Sequence, residues 1–192
     1  MRATEMTRQT TEVTISLHLN LDGTGEGRID TGIKFFDHLL LSLSKHSLFN
    51  LEVLATGDLH HHIVEDVALT LGKALDTLLG EKKGLKRFAS VYVPMDEALA
   101  RAAIDLSGRP YFNLQLNLLQ QQIEDMQVED IIHFFESLAL ASKITLHLAV
   151  LYGQNEHHKI EAGVKALALA FREASRFEPR LTNQIPSAKG VL

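Results

Sequence analysis

His61-His62-Ile63-Val64-Glu65 returns ninety-six positions later as His157-His158-Lys159-Ile160-Glu161, and this repeated cassette decides how the chain is read. On an α-helix, at about 100° per residue, the first His, the second His and the Glu project near roughly 0°, 100° and 40°. Both imidazoles then flank the carboxylate, and one helix can serve two neighbouring metals. Upstream of each cassette lies one more histidine, His38 in Phe35-Phe36-Asp37-His38 and His133 in His133-Phe134-Phe135-Glu136, separated by ninety-five residues. Three matched points at nearly one offset indicate an internal duplication.

The segments around the cassettes repeat as well. In the first half, Val13, Ile15, Leu17 and Leu19 alternate with Thr14, Ser16 and His18, which predicts a half-buried strand over Glu12 to Leu19. A short strand at Gly27 to Asp30, an apolar helix from Phe35 to Ser44, a strand from Leu48 to Ala55 and a cassette helix from His61 to Leu79 follow. The second half is expected to run through strands Arg87–Val93, Ala98–Leu106 and Tyr111–Leu118. A helix Val128–Ser142, a strand Ile144–Tyr152 and a helix His157–Arg176 complete it. Gln120 to Gln127 is polar and unpatterned and reads as a loop. Leu181 to Leu192 reads as a structureless tail able to bind something.

The expected class is α+β: two similar halves, each a small sheet packed with two helices. The boundary falls at Glu81-Lys82-Lys83-Gly84, giving residues 1–84 and 85–192, and so short a link implies one compact unit. At 192 residues and 45% apolar content the chain can bury a core. A net charge of −5 and the lack of a Lys/Arg block argue against a nucleic-acid partner. No stretch reaches the roughly 18 apolar residues of a membrane span, and Met1 to Arg8 lacks the apolar core of a signal peptide, so a cytoplasmic protein is expected.

With no Cys in the sequence, any metal is held by nitrogen and oxygen, which suits Mn, Zn, Fe or Co. His38, His61, His62, His133, His157, His158, Glu65 and Glu161 form an eight-member set, enough for two metals with four protein ligands each. Six-coordinate metals would keep open positions for Lewis-acid chemistry. If the two cassettes do not converge within one monomer, neighbours in an oligomer must complete each site. Arg87, Arg109, Lys165, Ser187 and Lys189 make a cationic and hydroxyl set suited to a phosphate. His60 reads as a surface residue and His147, inside an alternating strand, as a structural one; His18, on the polar face of a strand, is assigned no role. A non-catalytic His-rich metal-binding assembly explains the cassettes but not the phosphate set. In a dimetal phosphate-ester hydrolase the metals would bind phosphate themselves, and the set would be redundant.

Nearly the whole chain resembles imidazoleglycerol-phosphate dehydratase of histidine biosynthesis. The resemblance is carried by Arg8-Gln9-Thr10-Thr11-Glu12, Leu21-Asp22-Gly23-Thr24-Gly25, Thr31-Gly32-Ile33 with Phe35-Phe36-Asp37-His38, and His61-His62 through Glu65-Asp66. It continues in Pro94-Met95-Asp96-Glu97-Ala98, Asp105-Leu106-Ser107-Gly108-Arg109-Pro110, His133-Phe134-Phe135-Glu136-Ser137 and Gly153-Gln154-Asn155-Glu156-His157-His158 through Glu161. Lys165-Ala166-Leu167-Ala168 and Pro186-Ser187-Ala188-Lys189-Gly190 complete it.

That resemblance implies a ribosomal protein S5 domain 2-like fold of two α+β halves and a homo-oligomer of twenty-four subunits with active sites at subunit interfaces. It implies two Mn2+ per active site, held by the eight residues above. The implied reaction is that of a hydro-lyase, with imidazoleglycerol phosphate losing water to give imidazoleacetol phosphate. An imidazolate ring would expel the hydroxyl to form a diazafulvene-like intermediate. Glu12 is the candidate acid/base, with Glu65 and Glu161 as catalytic carboxylates. His46 matches a position that contacts substrate. The chain departs from the family pattern in the loop Gly57-Asp58-Leu59-His60, about three residues short and without its acidic pair, at Ile63, at Gly163-Val164 and at Ala188.

Overall fold

The computed structural model describes residues 1–192. Its elements, in chain order, are β1 (Ala3–Gln9), β2 (Val13–Asn20), β3 (Gly27–Asp30), α1 (Lys34–Ser47), β4 (Asn50–Gly57) and α2 (His60–Leu79) in the first half. The second half holds β5 (Phe88–Met95), β6 (Ala98–Asp105), β7 (Tyr111–Gln115), β8 (Gln122–Ile123), β9 (Met126–Gln127), α3 (Val128–Ala141), β10 (Thr145–Tyr152) and α4 (Glu156–Ala174).

The two halves share one topology. The first sheet runs β1-β2-β4-β3 and the second β5-β6-β10-β7; the only parallel pairs, β3 with β4 and β7 with β10, occupy the same place in each. α1 and α3 are the crossovers that such parallel pairs require. β2 buries Val13, Ile15, Leu17 and Leu19 on one face, as its alternation dictates, and that face packs against the helices. Four helices thus lie between two sheets. Within this layer the halves interlock: α1 packs on α4 and α2 on α3, and one contiguous cluster of 50 buried residues runs through both.

Several boundaries move. β1 is absent from the sequence expectation because its run Ala3 to Gln9 carries only one long apolar side chain, Met6; the antiparallel ladder to β2 makes it a strand. α1 continues three residues past Ser44, which places His46 in its last turn. The stretch expected to be a loop, Gln120 to Gln127, contains the β8–β9 hairpin instead. At its tip Asp125 accepts from the backbone N–H groups of Lys34 and Phe35 at 2.8 and 2.9 Å, capping α1, which has no cap of its own. His147 is exposed on the outer face of β10, with its ring centroid 5.8 Å from that of Tyr111, and is not enclosed by the core.

Candidate metal centres and anion-binding tail

The helix pairing brings each cassette to the lone histidine of the other half. His38 on α1 meets His157 and Glu161 on α4; His61 and Glu65 on α2 meet His133 on α3. Within each group the potential ligand atoms lie within 4.8 Å of one another. In the first, His38 Nε2 and His157 Nε2 both point at Glu161 Oε2, at 3.1 and 3.2 Å. In the second, the rings of His61 and His133 stack with centroids 5.0 Å apart, and His133 Nε2 stands 3.4 Å from Glu65 Oε1. That nitrogen is buried and makes no hydrogen bond. Three converging imidazole and carboxylate donors with an unsatisfied buried nitrogen among them fit a divalent cation.

The second histidine of each cassette belongs to neither group. His62 Nδ1 donates to Asp58 at 2.7 Å, and His158 Nδ1 donates to Glu97 at 2.8 Å. These bonds, with Asp58 and Glu97 as principal causes, raise both imidazole pKa values above the ordinary 6.5. The first histidines are held in the same manner: His61 Nδ1 donates to Asp130 at 2.7 Å and His157 Nδ1 to Glu124 at 3.1 Å. All four cassette imidazoles therefore have Nδ1 engaged by a carboxylate and Nε2 left as the donor, the arrangement that fixes tautomer and ring direction for metal binding. Sequence reasoning missed these carboxylates. The support also differs between clusters. Asp130 sits one turn before His133 on α3, but the position one turn before His38 is Phe35, and Glu124 of the β8–β9 hairpin takes over.

Around the first cluster lie Lys165 and His46. Lys165 Nζ is 2.9 Å from Glu161 Oε1. Burial opposes the charge on Glu161, but hydrogen bonds from Lys165 and His38 outweigh it and hold the carboxyl at about 2. His46 is lowered, first by burial and then by the charge of Lys165. A cavity of about 430 Å³ opens beside this cluster, lined by Lys34, Phe35, His38, Glu124, Asp125 and His157. Glu12 sits in the β1–β2 turn with an exposed carboxylate 3.8 Å from His62 Nδ1.

The other phosphate candidates gather elsewhere. Arg87 grips Asp105 through Nε and Nη2 at 2.7 and 3.1 Å and donates through Nη1 to the carbonyl of Pro186 at 2.6 Å, so it ties down the tail. Next to that carbonyl Ser187 Oγ accepts from the backbone N–H of Lys189 at 3.2 Å. The Gly108 turn that precedes Arg109 abuts Leu192, so the end of the tail reaches the arginine's loop. Arg87 precedes β5, whereas Lys165 contacts Met95 at the far end of the same strand. Ala174, nine residues after Lys165 on α4, accepts from the backbone N–H of Arg87 at 2.9 Å, so the two lie about 14 Å apart along the helix. Lys165 therefore does not join the tail group within one chain.

Comparisons with known proteins point to one family. Residues 31–171 match the family model described as imidazoleglycerol-phosphate dehydratase. The imidazoleglycerol-phosphate dehydratase of Dehalococcoides mccartyi is 49% identical over 191 residues, covering 100% of this chain and 97% of the relative. That of Methanothermobacter thermautotrophicus is also 49% identical, over 100% and 98%. Among solved structures, the Staphylococcus aureus enzyme superposes with a TM-score of 0.85 at 31% identity, over 92% of this chain and 99% of that one. The Pyrococcus furiosus enzyme gives 0.85 at 34%, over 97% and 100%.

Proposed function

The chain belongs to the imidazoleglycerol-phosphate dehydratase family, hydro-lyases of histidine biosynthesis, and from that premise we propose how its own residues carry the reaction. The substrate is imidazoleglycerol phosphate and the products are imidazoleacetol phosphate and water. The eight residues His38, His61, His62, His133, His157, His158, Glu65 and Glu161 hold two Mn2+ per active site. The observation that carries this reading is the division of each cassette: His61 and Glu65, like His157 and Glu161, enter a three-donor cluster, while His62 and His158 remain outside both with Nε2 free. A four-ligand site then takes its fourth donor from another copy of the chain, which puts active sites at subunit interfaces of a homo-oligomer, with twenty-four subunits as the size the family implies. The separation of Lys165 from Arg87, about 14 Å along α4, supports the same conclusion, since both serve one phosphate only if two copies contribute.

Divalent metals at these clusters supply Lewis-acid charge that offsets the negative charge developing on the imidazole ring. The remaining work falls to the protein. Arg109, Ser187 and Lys189 bind the phosphate, Arg87 holds the tail in place for them, and Lys165 and His46 approach from the metal-cluster side. Glu12, exposed and not engaged as a cluster ligand, takes the proton from the carbon that has no carbonyl to acidify it, and Glu65 and Glu161 anchor the ring side of the substrate. No helix is long and apolar enough to cross a membrane, and we place the enzyme in the cytoplasm with no nucleic-acid partner.

Glu65→Gln and His158→Ala test the shared sites. Each removes one donor, from the cluster and from the leftover position respectively, so both are expected to lose metal and to fall to a smaller assembly. Elemental analysis combined with size measurement checks this; full metal content in both variants contradicts the ligand assignment.

A further inference from the structure

The duplication sets two equivalent corners side by side for comparison. In each half the residue immediately before the second strand is a glutamate, Glu12 before β2 and Glu97 before β6, and each faces the second histidine of its own half's cassette. Their uses have diverged. Glu97 is consumed: Oε2 accepts from His158 Nδ1 at 2.8 Å, and Oε1 accepts from the backbone N–H groups of Gln154 and Asn155 at 3.1 and 2.7 Å. Those bonds, that from Asn155 foremost, hold its carboxyl at about 2. Glu12 has none of this. Its carboxylate stops 3.8 Å from His62 Nδ1, beyond hydrogen-bonding range, because Asp58 Oδ1 already occupies that nitrogen at 2.7 Å. The position equivalent to Asp58 in the second half is Gln154, whose side chain makes no such bond.

We propose that Asp58 is a positioning residue with two effects: it fixes His62 so that Nε2 is presented as the metal donor, and by occupying Nδ1 it keeps Glu12 from the pairing that Glu97 makes with His158. The catalytic carboxylate is thereby left free in one half only. Asp58 lies four residues before His62, where its carboxylate folds back onto the ring.

The proposal rests on the reading of His62 as a metal ligand and of Glu12 as the proton acceptor. Asp58 is exposed and outside the core, so its replacement leaves folding intact. The test uses the full-length protein and Mn2+ alone, titrated in competition with a fluorescent chelator, for Asp58→Ala, Asp58→Glu, Glu12→Gln and the double variant Asp58→Ala with Glu12→Gln. In Asp58→Ala, Glu12 closes onto His62: Mn2+ affinity falls by less than tenfold, while kcat/KM falls by more than the affinity does. In the double variant no carboxylate remains behind the ring and affinity falls by about 10–100-fold, the usual consequence of losing such a partner of a ligating histidine. Asp58→Glu restores most of both. Equal Mn2+ affinity in Asp58→Ala and the double variant, or wild-type kcat/KM in Asp58→Ala, overturns the proposal. A wild-type protein that binds no Mn2+ in the same titration overturns the metal reading beneath it instead.

Discussion

Gly72 lies where α2 crosses α3, and replacing it with Ala tests how closely helix packing sets the metal geometry. A Cβ there would stand 2.6 Å from Ala141 Cβ, 2.9 Å from Ser142 N and 3.0 Å from Leu138 O. Two of these are backbone atoms on the α3 side, and no rotamer change relieves them, so the helices must part by about 0.8 Å to regain ordinary contact. In an isolated helix the change would gain about 1 kcal/mol of propensity. Overpacking of a dense interior costs about 1–3 kcal/mol, and the rigid backbone contacts put this site at the upper end. The net expectation is a loss of about 1–2 kcal/mol, a Tm lower by roughly 2–8 °C. The functional effect is larger than the energetic one. α2 carries His61 and Glu65, α3 carries His133, and metal sites tolerate errors of only about 0.2 Å in ligand distance. Gly72 is two turns from Glu65, about 10 Å along the axis, so the displacement reaches the cluster. Thermal unfolding followed by circular dichroism, with Mn2+ content measured on the same samples, is the assay. A Gly72→Ala protein with unchanged Tm and full metal content would refute the reasoning.

Three further outcomes follow from the site. Glu12→Gln, nearly isosteric, keeps the fold, the metals and substrate binding but loses about 10²–10⁴-fold in kcat; near-wild-type kcat beside normal metal content removes Glu12 from proton transfer. Arg109→Ala raises KM and lowers kcat/KM by tens-fold while metal stays bound, since a charge-assisted hydrogen bond to phosphate contributes about 1.5–3 kcal/mol; unchanged kinetics exclude Arg109 from the substrate site. Metal uptake depends on pH through His62 and His158, whose pKa values are raised above 6.5 by their bonds to Asp58 and Glu97. Only the neutral ring binds a cation, so Mn2+ affinity weakens as pH falls and protons compete for the two rings, the more so for their raised pKa values. Elemental analysis after dialysis across about pH 5–8 measures it, and metal content flat through that range contradicts the assignment.

What the sequence revealed was whatever a single element carries on its own. The i, i+1, i+4 spacing of the cassettes placed two imidazoles and a carboxylate together on each helix, and the alternation of Val13 to Leu19 is enough to identify β2. β1 was illegible because its one apolar anchor, Met6, gives no period, and the β8–β9 hairpin because two residues per strand cannot show one. The pairing of His38 with the second half's cassette and of His133 with the first's depends on which helices cross, a tertiary property that spacing along the chain does not encode. Three of the four carboxylates behind the rings, all but Asp58, were missed for the same reason. Glu124 lies thirty-three residues from His157, and Asp130 sixty-nine from His61. The phosphate set was read as one group, but the structure separates Lys165 from Arg87 and uses Arg87 to bind the tail, which its position in the sequence could not disclose.

Under the proposed function, this chain dehydrates imidazoleglycerol phosphate at metal sites completed between subunits. The most direct test is to supply the purified, Mn2+-loaded protein with imidazoleglycerol phosphate and follow both the enolisable ketone product and free phosphate. The account predicts ketone formation without phosphate release, lost when a chelator strips the metal and regained on Mn2+ addition. Release of inorganic phosphate, or no product from a protein shown to be metal-loaded and fully assembled, would contradict it.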